Sequence, residues 1–68
     1  MEPQLQKQID DIMYETNEKV SAIVDEIREI RFSKMDEQEK QVKCDALRER
    51  FEQVMIQEER KIEQILQN

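Results

Sequence analysis

The segment Phe32-Ser33-Lys34-Met35-Asp36-Glu37-Gln38-Glu39-Lys40-Gln41 decides the fold, because it interrupts an otherwise regular apolar pattern. Before it, Ile9, Met13, Thr16, Val20, Ile23, Ile27 and Ile30 follow one another at alternating steps of four and three. An α-helix returns to the same face about every 3.6 residues, so this spacing lines them along one helical stripe. Leu5, Ile12 and Val24 widen the stripe, which points to contact with more than one neighbouring helix. Asp11, Glu15, Glu18, Asp25 and Glu29 fall on the opposite, solvated face. Pro3 suits the first turn of this helix, where its missing N–H costs nothing, and Glu2 beside it favours the positive end of the helix dipole.

After the segment, a second stripe runs through Cys44, Phe51, Met55, Ile62 and Ile65, flanked by Leu47, Val54 and Leu66 and interrupted by Arg48 and Glu58. Carrying the first heptad frame through the gap puts Lys34, Glu37 and Gln41 at core positions. Three successive polar residues in a continuous seam are costly. The sequence therefore predicts an all-α fold in which two amphipathic helices, over 3–31 and 34–67, form an antiparallel hairpin with its break near Phe32–Met35. Ser33 followed by Asp36 resembles a capping box for the second helix. Each helix is roughly 45 Å long at about 1.5 Å per residue, and two hairpins can pair as a four-helix bundle. The alternative is one continuous helix in a parallel coiled coil. In its favour, the heptad phase survives the gap, Asp36 to Lys43 is built of strong helix formers, and no Gly, Pro or Asn marks a turn.

Composition narrows the function. Charged residues are 41% of the 68, glycine and histidine are absent, and Cys44 is the one cysteine. Chains this short gain little from one core and need a staple. An internal disulfide is impossible with one cysteine, and a zinc site has no histidine to join it. Self-association or docking on a helical partner remains. The net charge is −6 and neither half of the chain is basic. Nucleic-acid backbones and anionic membrane surfaces are thus disfavoured as partners. No apolar run approaches the length of a membrane span, and the opening Met1-Glu2-Pro3-Gln4 lacks signal-peptide character. With a lone free thiol, this reads as a cytoplasmic or nuclear protein.

No catalytic apparatus, metal site or cofactor site is expected. Neighbouring acids such as Asp10-Asp11 and Glu58-Glu59 point in different directions on a helix and do not converge. Cys44 reads as a small apolar residue of the core. Glu58 is the acid inside the second stripe, either reaching to water from a flank or setting register against a base such as Lys19, Arg28 or Arg60. Tyr14 reads as a rim residue, and Phe32 as a ring closing the end of a bundle.

The expected function is a non-enzymatic protein–protein interaction module that works by helix association, as a scaffold or accessory subunit of a larger assembly. Its interaction stripe is Ile9, Met13, Val20, Ile23, Ile27, Ile30, Leu47, Phe51, Met55, Ile62 and Ile65, within one module over residues 1–68. Two other readings compete with it. One is a small hairpin that binds RNA through Arg48, Arg50, Arg60 and Lys61, although Glu49, Glu52, Glu58 and Glu59 neutralise that surface. The other is a helical inhibitor or regulator that inserts into a groove of an enzyme.

Overall fold

A computed structural model, describing residues 2–67, contains two α-helices, α1 (Pro3–Arg31) and α2 (Glu37–Gln67), packed against each other as an antiparallel hairpin. The backbone envelope measures 51 × 16 × 10 Å, which is the length of one helix and the width of two. The chain therefore reverses inside the polar segment and is not a rod. Lys34, Glu37 and Gln41, which would line the seam of a continuous coiled coil, are all exposed. The reversal removes the cost of burying them.

The reversal works without glycine, and no described residue adopts a positive φ. The last turn of α1 closes through the Phe32 N–H to the Arg28 carbonyl and the Ser33 N–H to the Ile30 carbonyl, both 3.1 Å. The Ser33 hydroxyl donates to the same Ile30 carbonyl at 2.6 Å and accepts a longer bond, 3.4 Å, from the Met35 N–H. The Lys40 ammonium then donates to the Arg31 carbonyl at 3.1 Å, so a side chain from α2 satisfies an orphan acceptor at the end of α1. Ser33 serves the end of α1 and does not cap α2. The cap of α2 is Asp36, whose carboxylate accepts the Glu39 N–H at 2.8 Å, and α2 accordingly starts at Glu37 and not at residue 34. Arg28 and Arg31 in the last turn of α1, and Glu37 and Glu39 in the first turn of α2, complement the two helix dipoles that meet here.

At the other end, Pro3 occupies the first helical turn and the Gln6 N–H bonds the Glu2 carbonyl at 2.9 Å. Along the shaft, Gln6 bonds Asp10 and Gln41 bonds Asp45, each one helical turn on.

The core is thin. Among the described residues only Ile23 (2% exposed) and Leu47 are buried apolar side chains, joined by Thr16 at 7%. Leu5, Ile9, Ile12, Val20, Ile27 and Ile30 of α1 are half-buried, as are Cys44, Val54, Ile62 and Ile65 of α2. Two helices side by side can shield only one strip of each, so most seam residues keep one edge in water. The accessible surface is 5787 Å². A compact monomer of 8.3 kDa exposes about 4,600 Å², so the hairpin carries an excess of about 1,200 Å².

Candidate functional site

The hairpin has two unlike faces. In α1 the line facing α2 runs through Ile9, Ile12, Thr16, Ile23, Ile27 and Ile30, and in α2 it runs through Cys44, Leu47, Val54, Glu58 and Ile65. Two ion pairs bridge the helices on one side of this seam: Glu26–Arg50 at 3.6 Å and Glu15–Lys61 at 3.8 Å. Eleven residues back along α1, from Glu26 to Glu15, match eleven forward along α2, from Arg50 to Lys61. That is about three helical turns in each direction, so both pairs report one antiparallel register. All four side chains are about half exposed or more, so the pairs align the helices and contribute little stability.

Because Glu15 and Glu26 lie to one side of the α1 seam, Met13, Val20 and Val24 lie to the other. Because Arg50 and Lys61 lie to the same side of the α2 seam, Phe51, Met55, Ile62 and Leu66 lie to the other. These two flanks together form the second face, and these apolar residues run along it. Met13 is 47% exposed, Met55 41%, and Val24, Phe51 and Leu66 are exposed as well. Val20 and Ile62 are half-buried at its inner edge. A shallow groove on this side of α2 is lined by Met55, Glu58, Glu59, Ile62 and Glu63. Toward the turn, a second concavity is lined by Arg31, Glu37, Lys40, Gln41, Cys44 and Arg48. The face thus has an apolar middle, an acidic end and a basic end.

The interaction stripe read from the sequence divides between seam and face. Ile23 and Leu47 are buried in the seam, with Ile9, Val20, Ile27, Ile30, Ile62 and Ile65 half-buried. Met13, Phe51 and Met55 are open to solvent. Their neighbours Ile12 and Val54 turn inward, a rotation of about 100° per residue that spacing alone does not resolve in a wide stripe.

Glu58 occupies a seam position and is half-buried, and neither cross-helix ion pair includes it. No buried side-chain oxygen or nitrogen among the described residues lacks a partner. Tyr14 stands on the outside of α1. Phe32 is 88% exposed and does not close the end of the hairpin; Met35, three residues on, is half-buried. Among the described residues, no cluster of His, Cys, Asp or Glu is placed to hold a metal ion, and no helix is long and apolar enough to cross a membrane. No family model, curated protein or solved structure matches the chain.

Proposed function

We propose that the chain is a non-enzymatic association module, a helical hairpin that completes its hydrophobic core by packing against other helices. The observation that carries this reading is the mismatch between core and surface. Two apolar side chains are buried among the described residues, while Met13, Val24, Phe51 and Met55 make an exposed apolar face beside them. Fully burying one such side chain is worth about 1.5–3 kcal/mol. An isolated two-helix unit of this length is marginal in water, so association supplies much of the folding free energy.

In this reading the ion-paired face remains in solvent and the apolar face is covered. The role is that of a scaffold or accessory subunit, in which the partner's helices replace water on the open side of the seam. The test is far-UV circular dichroism of Val24→Glu and Met55→Glu against Tyr14→Glu, with sedimentation equilibrium alongside. The first two lose assembly and helicity together; the third keeps both. If all three variants kept both, the apolar face would have no such role.

A further inference from the structure

Building on that reading, we infer that the apolar face takes a second copy of this chain, antiparallel, with the turn of one hairpin against the open end of the other, to give a two-fold symmetric four-helix bundle. Area and charge carry it. The broad side of the hairpin, of which the apolar face is one part, spans 51 by 16 Å between Cα atoms, a footprint of about 800 Å², comparable to what each partner buries in a standard stable interface.

Charge selects the orientation. The concavity toward the turn is basic on balance, with Arg31, Lys40 and Arg48 against Glu37, and the groove with Glu58, Glu59 and Glu63 toward the open end is acidic. A parallel stack sets base on base and acid on acid. Turning the second copy end over end sets each basic end on the other's acidic end. With the two-fold axis near Gln53, one residue past the middle of α2 (Glu37–Gln67), α2 lies on the second copy's α2 along nearly its full length. Phe51 of one copy then meets Met55 of the other, and Arg48 meets Glu59. On α1 the register places the axis near Ile23, so Val20 and Val24 of both copies gather close to it. Each contact occurs twice, as an isologous interface requires. The bundle packs the Phe51 ring on the Met55 thioether, a favourable sulfur–aromatic contact.

The experiment combines charge reversal with a distance. Arg48→Glu and Glu59→Arg are each measured by sedimentation equilibrium at low salt, then combined in one chain. Each single variant weakens the dimer about tenfold, because two attractive rim pairs become repulsive, and the double variant returns to within about threefold of the parent. Separately, a spin label on Cys44 of the otherwise unaltered chain reports the distance between copies by double electron–electron resonance. The antiparallel arrangement separates the two labels by about 27 Å along the bundle, some 18 residues at 1.5 Å; a parallel one leaves them at the same height, under about 20 Å. A dimer with the short distance, or with no rescue in the double variant, overturns this arrangement while leaving the association reading in place. A chain that stays monomeric at high concentration overturns the second copy as occupant. If that monomer is poorly helical, a different helical partner covers the face; if it is fully folded and stable, the association reading falls too.

Discussion

Replacing Ile23 by alanine tests the seam at its best-buried point. Ile23 is 2% exposed, the lowest among the core residues, and removing three carbons there leaves a void in the seam or opens it to water. Such truncations cost about 2–5 kcal/mol in well-enclosed cores. A two-helix layer has no outer shell, so the gap relaxes and the lower half of that range applies, about 2–3 kcal/mol. For a domain of this size each kcal/mol moves the midpoint by about 4–8 °C. The expected fall is therefore about 10–20 °C in a thermal scan by circular dichroism, with helicity already reduced at room temperature in dilute samples. Tyr14→Ala, on the exposed outer side of α1, serves as the control and shifts the midpoint by no more than a few degrees. If Ile23→Ala melted within about 3 °C of the parent at every concentration, Ile23 would not lie in a structural seam and the packing described above would be wrong.

Three further outcomes follow from named contacts. Asp36→Ala removes the cap bond to the Glu39 N–H and costs about 1 kcal/mol, read as a lower melting temperature, while Ser33→Ala leaves the start of α2 in place. Glu58→Leu replaces a half-buried acidic side chain in the seam by an apolar one and raises stability by about 1 kcal/mol or more, read as a higher melting temperature; a fall would mean that Glu58 holds a specific polar contact. Glu26→Gln, which discharges one exposed ion pair, changes stability by less than about 1 kcal/mol and does so less at high salt, by chemical denaturation at two ionic strengths.

Much of the fold was legible in the spacing. The +4/+3 steps from Ile9 to Ile30 imply a single helix, and the three polar frame positions Lys34, Glu37 and Gln41 argue against its continuing through. The exact cap was harder, because Ser33 and Asp36 are both able to cap. The deciding signal was three residues further on: Asp36 has Glu39 at the position where a capping box places its acid, whereas Ser33 has only Asp36. The Lys40 bond to the Arg31 carbonyl could not be read at all, since it depends on how the two helices dock and not on any local pattern.

The surface was legible only in part. A wide stripe holding both Ile12 and Met13, and both Val54 and Met55, says that each helix has two apolar flanks without saying which one faces its neighbour. That choice belongs to the register. The Glu26–Arg50 and Glu15–Lys61 pairs record it by marking the side that stays polar. Cross-helix charge matching in an assumed hairpin could have found this, because the acids and bases recur at equal eleven-residue intervals in opposite directions.

The central claim is that one hairpin does not complete its own core. Sedimentation equilibrium of the unaltered chain from low to high micromolar, paired with helicity at the same concentrations, tests it most directly. The expected mass rises above the monomer's 8.3 kDa with concentration, and helicity rises with it. A chain that remained at 8.3 kDa throughout, fully helical and thermally stable at the lowest concentration, would contradict it.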